Sequence, residues 1–397
     1  MENSGLRKNE TGLDAGAAVA ATTAKPTVCF LGPVSSYTHQ ATLDTFPEDK
    51  FDLIPVETIK DIFTTTQSGR ADYGVVPFEN SSNGSVVFTL DQFADRDGEY
   101  PDLSVCAEIY LDVHHCLLGH VPAAAPSSSS SSAAPGGVTV VKSPLIHDVS
   151  HVRRVYSHPQ AFGQCTRFLR ESLRGVETVD VSSTSRAAEL ARADASGESA
   201  AVSSAAAART LGLDVLARDI EDRDDNTTRF FVLRRGGGGG GGGGDGDGDG
   251  DSDPEWLVER RRRRMEREGR TYDKAAADPL QEKDVEEDDD DAEPKDPAYS
   301  RSKSLASFTV PHRHPGALAD VLDCFRRARL NLTSIGSRPS LARAGYGADA
   351  GAFRYVFFVE FEGHRRDDPE GRVRRALDDV ARVASSSRWL GSWVGMR

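Results

Sequence analysis

Nine consecutive glycines, Gly236 to Gly244, run into the alternating tract "DGDGDGD" and then into a charge-rich stretch reaching about Pro297. Such a stretch cannot bury enough apolar surface to offset the cost of ordering its backbone. It therefore divides the 397 residues into two parts that fold, with residues 236–303 read as a disordered Gly/acidic linker. The full length is enough for two or three domains, and about 250 residues remain to build their cores.

The formal charge of −14, with much of the acid in "EKDVEEDDDDAEP", argues against a nucleic-acid partner, which wants a concentrated positive surface. The basic block "ERRRRRMER" has acidic, low-complexity neighbours and reads as a solvated linker segment. Five cysteines without a CxxC pair suit a reducing compartment, and the expected localisation is cytoplasmic. No window approaches 18 uninterrupted apolar residues, so no membrane span is expected. Residues 1–25 have no apolar core of a secretory signal and read as a flexible N-terminal segment.

Order is expected from Thr27. "TVCFLGP" reads as a buried strand, "VSSYTHQATLDTF" as a helix capped by Ser35 or Ser36, and "FDLIPV" and "ADYGVVPFEN" as further strands. Between these two, "ETIKDIFTTTQSG" places Ile59, Ile62, Phe63 and Thr66 on one helical face. Strands alternating with helices through short joins predict an α/β sheet covered by helices. After "SVCAEIYLDVHHCLLGH", the serine-rich residues 120–137 read as an inserted surface loop. Ala161, Cys165, Phe168 and Leu169 then predict one helix from Gln160 to Glu171. Beyond the linker, residues 304–397 read β-α-β-β-α, with Tyr355, Phe357, Val359 and Phe361 on the inner face of the long strand and "WLGSWV" available as a last strand. That order predicts a small ferredoxin-like α+β sandwich.

Polar residues gather where strands end, which is where open α/β sheets hold ligands. Ser35, Ser36 and Thr38 follow the first strand, where they either cap a helix or hold a carboxylate. Glu79, Asn80, Ser81 and Ser82 follow another strand and exceed what an Asn-Gly turn requires. Ser157, His158 and Gln160 open the helix begun by Pro159, His158 being either a proton carrier or a cap. Thr227, Thr228 and Arg229 open the strand before the polyglycine, where a planar Arg suits a carboxylate and the bland reading is a solvated strand end. His147 and His151 have zinc-like spacing but no third ligand, so neither metal nor cofactor is expected.

Four blocks in order, "FLGPVSSYTHQA", "DYGVVPFENSSNGSV", "VYSHPQAFGQC" and "DNTTRFFVL", resemble the motifs of prephenate dehydratase. "GALADVLDCF" and "NLTSIGSRPS" resemble the regulatory ACT domain that follows it in many members. The resemblance implies a catalytic part at 26–235 of two α/β lobes, laid out like periplasmic binding proteins with substrate in the cleft, and an ACT domain at 304–397 ending in a helix. In that picture the chain crosses after "LDVHH" and returns near "GLDVLARDI", with Thr228 on the hinge side. It implies a carbon–oxygen lyase that converts prephenate to phenylpyruvate, with arogenate dehydratase as the alternative substrate class and a non-catalytic small-acid sensor as the alternative of another kind.

Carried over residue by residue, the resemblance makes Thr228, with Arg229 and Phe230, the catalytic block. Arg229 would anchor a carboxylate and Glu79 or His158 would supply a proton. Ser36, Thr38, Glu79, Asn80, Ser81, Ser82, Ser157, His158 and Gln160 would bind substrate. Gly316, Ala317, Leu318, Asn331, Leu332, Ser337, Arg338 and Pro339 would take L-phenylalanine as effector, in a homodimer or homotetramer. Two positions depart from the family pattern: Ser35 stands where glycine is usual, and Gly336 where the effector motif has glutamate.

Overall fold

A computed structural model describes residues 25–122, 145–236, 256, 259, 301–340 and 354–395. The expected N-terminal segment, most of the inserted loop and most of the linker lie outside the described residues. Trp256 does not fit a linker with nothing to pack: its ring lies 4.5 Å from that of Phe46 and 5.6 Å from that of Tyr73.

The first lobe runs β1 (Thr27–Leu31), α1 (Tyr37–Thr45), β2 (Asp52–Val56), α2 (Ile59–Gln67), β3 (Tyr73–Asn80), β4 (Gly84–Ser85), α3 (Val87–Ala94) and β5 (Leu103–Asp112). The chain then crosses into a second lobe: β6 (Cys116–Gly119), β7 (Arg154–Ser157), α4 (Pro159–Gly163), α5 (Thr166–Ser172), β8 (Glu177–Asp180), α6 (Thr184–Ala193), β9 (Ser199–Ser203), α7 (Ala205–Leu211) and β10 (Asp214–Ala217). It returns as β11 (Thr227–Arg235), inserted antiparallel between β3 and β5. The second lobe has its own sheet, ordered β10-β6-β9-β7-β8. The alanine-rich α6 and α7 let it pack closely, through Ala187, Ala188, Ala191 and Ala207, all fully buried. The two-lobed reading holds.

The helix expected from Gln160 to Glu171 is instead two short helices broken at Gln164 and Cys165. Asp222 causes the break locally, because its carboxylate accepts from the backbone N–H groups of Thr166 and Arg167 and from the Thr166 hydroxyl, capping a new helix start.

The C-terminal unit is β12 (Ser302–Thr309), α8 (Ala317–Arg327), β13 (Leu332–Ser340), β14 (Arg354–Glu362), α9 (Arg372–Val383) and β15 (Ser386–Val394). "WLGSWV" does supply the last strand, giving the ferredoxin-like order β13-β14-β12-β15. Val359 and Phe361, with the partly buried Phe357, face α8 and α9 as their alternation predicts, while Tyr355, expected on the same face, is exposed at the start of the strand. The opposite face of β14 is buried too: Val356 and Phe358 enter one core with Phe78, Phe93, Val105, Phe231 and Trp393. β15 meets β5 in parallel at Gly391 and Val105, joining both units in one sheet. Gly391 has φ 146°, and a Cβ there would lie 2.2 Å from the Val105 carbonyl oxygen, so only glycine lets the strands meet.

Candidate active site

Two crossings form the hinge between the lobes, residues 113–115 and 218–226. Val113 N–H donates to the Asn226 carbonyl at 2.7 Å, and Ile220 N–H to the His115 carbonyl at 3.1 Å. The buried Glu221 carboxylate accepts from His115 N–H and pairs with His114 Nδ1, both at 2.8 Å. That bond raises the His114 pKa. His114, Asp219 and Glu221 bring ligand atoms within 4.8 Å of one another. Both Glu221 oxygens are already engaged within the hinge, so the group reads as a structural fastening.

Asn80 ends β3 beside Thr228, which opens β11. The Asn80 Oδ1 accepts from Ser82 N–H, Asn83 N–H and Asn83 Nδ2, each at 3.0 Å, which closes the turn and fixes the amide orientation. Its Nδ2 must then donate, and does so to Asn226 Oδ1 at 2.8 Å and Thr228 Oγ at 3.0 Å. Asn226, buried and oriented by that bond, turns its own Nδ2 to Gln164 Oε1 at 3.3 Å. Gln164 is the residue at the helix break, and its Oε1 also meets His115 Nε2 at 2.8 Å.

A glutamine oxygen only accepts, so His115 Nε2 carries the proton, and Nδ1 accepts from the Tyr37 hydroxyl at 2.7 Å. Burial lowers the His115 pKa, against the opposing pull of its bond to Gln164, which is consistent with the neutral ring. Every bond in the chain Tyr37–His115–Gln164–Asn226–Asn80–Thr228 thus has an assigned direction. Two donors remain without an acceptor among the described residues, the Thr228 hydroxyl and the Gln164 amide. They belong to different lobes and are joined through Asn226, so the arrangement can donate to an oxygen-rich ligand held between the lobes.

The other expected residues divide. Ser36 caps α1, accepting from His39 N–H at 3.1 Å and donating to the Leu31 carbonyl at 3.0 Å, while Thr38 is buried on the same helix. Ser81 is structural: its hydroxyl donates to the Asp225 carbonyl and accepts from Thr227 N–H, both at 2.9 Å. Ser82 is exposed in the turn that Asn80 closes. Ser157 is fully buried and donates to the Val202 carbonyl at 2.8 Å. His158 caps α4, its Nδ1 accepting from Gln160 N–H at 3.3 Å, and the Gln160 side chain is exposed. Phe230 is a core residue, 1% exposed. Gln164, Asn226, His115 and Tyr37 escaped the reading of the sequence; Tyr37, Gln164 and Asn226 lie inside the quoted motif blocks but have no local signature.

Arg229 does not anchor a ligand carboxylate. Consecutive strand residues leave opposite faces, so its side chain turns away from Thr228 into the core, where three carboxylates surround it. Nε donates to Glu108 at 2.9 Å, Nη1 to Glu79 at 3.0 Å and Nη2 to Glu360 at 2.5 Å. The guanidinium stacks over Phe231 at 5.0 Å, and Lys303 lies 3.4 Å from Glu360 and 3.6 Å from Glu108. Burial raises the Glu360 pKa, yet Arg229 and Lys303 outweigh it and hold this carboxylate below its ordinary range. Glu79, expected to supply a proton or bind substrate, is a partner of Arg229 instead.

In the C-terminal unit, Gly316 takes φ 89° at the start of α8, Ala317 is buried and Leu318 partly so. The Asn331 carbonyl accepts from Glu362 N–H, and Leu332 opens β13. Ser337 is exposed. Arg338 makes a two-pronged contact with Asp91 of α3, at 2.7 and 3.0 Å, and the Pro339 carbonyl accepts from Arg96 at 3.0 Å. Both therefore serve the contact between units in this structure.

A family model described as prephenate dehydratase matches residues 28–237. A bifunctional chorismate mutase/prephenate dehydratase from Aquifex aeolicus (strain VF5) is 30% identical over 366 residues, covering 92% of this chain and 73% of that relative. Arogenate dehydratase/prephenate dehydratase 1, chloroplastic, from Arabidopsis thaliana is 26% identical, covering 93% and 72%. The crystal structure of a prephenate dehydratase from Arthrobacter aurescens in complex with L-Phe shares the fold at TM-score 0.62 and 24% identity, covering 93% of this chain and 90% of that one. No helix of the described residues is long and apolar enough to cross a membrane. With the family model spanning more than half of the sequence, this chain belongs to the prephenate dehydratase family and is a lyase of aromatic amino-acid biosynthesis.

Proposed function

We propose that the chain converts prephenate to phenylpyruvate, with loss of water and carbon dioxide, as a step of L-phenylalanine biosynthesis in the cytoplasm. The observation that carries this reading is the Thr228 hydroxyl, which accepts from Asn80 at 3.0 Å and so keeps its own hydrogen for a ligand. In prephenate the bond from ring to carboxylate breaks, its electron pair completes the aromatic ring, and the ring hydroxyl leaves opposite it. The departing oxygen gathers negative charge and takes up one proton, drawn from solvent, to leave as water. A donor fixed in advance at that oxygen stabilises the charge without reorganising in the transition state. Threonine is too weak an acid to protonate the oxygen outright, so Thr228 positions it and shares a hydrogen bond. The Gln164 amide, across the hinge, supplies the second fixed donor for a carboxylate. With Arg229 enclosed by glutamates, carboxylate recognition falls to neutral donors, namely this amide, the Thr38 hydroxyl and the backbone at the start of α1.

Incubation with prephenate, read by the ultraviolet absorbance of phenylpyruvate in alkali, tests the proposal, with arogenate as the competing substrate. We expect kcat/KM for prephenate to exceed that for arogenate. The reverse order establishes the arogenate reading, an activity that the name of the Arabidopsis relative carries beside prephenate dehydratase, and no turnover of either refutes both in favour of a small-acid sensor. We further assign L-phenylalanine to the C-terminal units as effector, in a homodimer or homotetramer, supported by the likeness to the fold solved with L-Phe. Added phenylalanine should lower activity and shift the sedimentation coefficient, and no effect on either overturns the assignment.

A further inference from the structure

Arg229 follows Thr228 directly, and the two side chains leave β11 on opposite faces. The register between β11 and β3 slips between Arg229 and Phe230. A bulge of this kind rotates a strand and re-aims the side chains beside it. The direction of the Thr228 hydroxyl therefore depends on whatever grips the next residue from the other side of the sheet.

Two of the grips, Glu79 and Glu108, come from the flanking strands β3 and β5. The third crosses from the C-terminal unit. In the strand order β14 stands four places from β11, a separation of about 19 Å in a flat sheet. Glu360 nevertheless meets Arg229 at 2.5 Å, so the sheet folds over at the junction of β15 and β5 and lays β14 across β11. Glu360 is itself held by Thr333 Oγ at 2.7 Å and by Lys303, both of the C-terminal unit. Arg229, Glu108 and Glu360 are each under 5% exposed, so bulk water cannot take a vacated place.

We infer that Glu360 is a positioning residue for the dehydratase reaction: through Arg229 it sets the pose of Thr228, so the C-terminal unit supplies part of the catalytic geometry. The inference rests on the role given to Thr228 above. Each edge of the planar guanidinium has its own carboxylate. Without Glu360, Nη2 keeps only Glu108, at 2.7 Å, and the group is free to turn within its plane.

Glu360→Gln keeps the shape and removes the charge. We expect kcat to fall roughly ten- to a hundredfold, as for a modest misplacement of a reacting group, with KM changed less than about twofold. In a Thr228→Val background the same substitution should cause no further loss, since Glu360 acts through the hydroxyl already removed. Amide hydrogen exchange of the 226–230 segment should quicken in Glu360→Gln, a readout that needs no turnover. Wild-type kcat in Glu360→Gln, a full additional loss in the Thr228→Val background, or unchanged exchange at 226–230 each overturns the inference. Should Glu360→Gln fail to fold, Thr333→Val loosens Glu360 without touching Arg229, Glu108 or Glu79 and carries the same expectations at smaller size. A wild-type chain inert toward prephenate and arogenate refutes the dehydratase reading, while the exchange measurement still decides whether Glu360 holds the Thr228 segment.

Discussion

Replacing Thr228 by valine removes a hydroxyl and leaves the shape of the side chain almost unaltered, which makes it the sharpest probe of the site. On the folding side the loss is small. Asn80 Nδ2 keeps Asn226 Oδ1 at 2.8 Å and has the Thr227 carbonyl at 3.3 Å as a substitute acceptor. One partly buried hydrogen bond is then exchanged for a weaker one, at about 0.5–1.5 kcal/mol. On the catalytic side the loss is that of a preorganised donor at a developing oxyanion, worth about 3–4 kcal/mol, or roughly a hundred- to a thousandfold in kcat. Steady-state turnover of prephenate with a parallel thermal melt separates the two. Thr228→Ser, which keeps the hydroxyl, should stay within about tenfold of wild type. A valine variant that keeps wild-type kcat, or whose whole defect lies in KM, refutes the assignment of Thr228 to the leaving oxygen.

Ser35 sits at φ 77°, a conformation glycine enters freely, and its backbone N–H bonds His39 Nδ1 whatever the side chain. Ser35→Gly should therefore stabilise the protein by about 0.5–1 kcal/mol, the relieved strain less the added freedom of the unfolded chain, and a lowered melting temperature contradicts this. Burial holds the pKa of both His39 and His115 below the ordinary histidine value, so the unfolded chain binds protons that the folded one resists. Their effect is absent above the unfolded value, and stability falls as pH drops through the lowered folded values. His114, raised by Glu221, acts in the opposite sense, its contribution lost as pH rises through the raised folded value. His115→Gln should flatten the fall in melting temperature between about pH 7 and 5, and an unchanged slope contradicts the neutral, Nε2-protonated ring.

Local pattern carried much of the fold. The alternation of strands and helices and the elements of the C-terminal unit follow from short-range periodicity and caps, whereas the crossings after β5 and before β11 are implied by the motif resemblance and not by local pattern. The helix break at Gln164 follows from neither, because its cause, Asp222, lies 56 residues from Thr166 in the returning hinge segment between β10 and β11. Asn80 and Thr228 are legible as strand-end residues, and the register of β3 and β11 puts them side by side. Position within a strand failed for Arg229, where the deciding partner, Glu360, is 131 residues away in a unit the pattern treated as separate. Polar residues at strand ends also overstated the site: Ser36, Ser81 and Ser157 look alike in sequence, and the structure engages all three hydroxyls with backbone groups. The buried outer face of β14 was equally invisible, since alternation reports that a strand has two faces but not what covers each.

The strand β15 follows every other described strand in the sequence, yet in space it sits between β12 and β5, near the middle of the large sheet. On a ribosome, the first lobe would emerge with the β5 edge open and Phe231 uncovered on one side until residues 386–394 arrive. A nascent or prematurely terminated chain would thus present an unpaired edge above an apolar floor, the combination that recruits chaperones or aggregates. For this topology, residues 386–394 decide whether the edge of β5 and the apolar floor beside it are sealed.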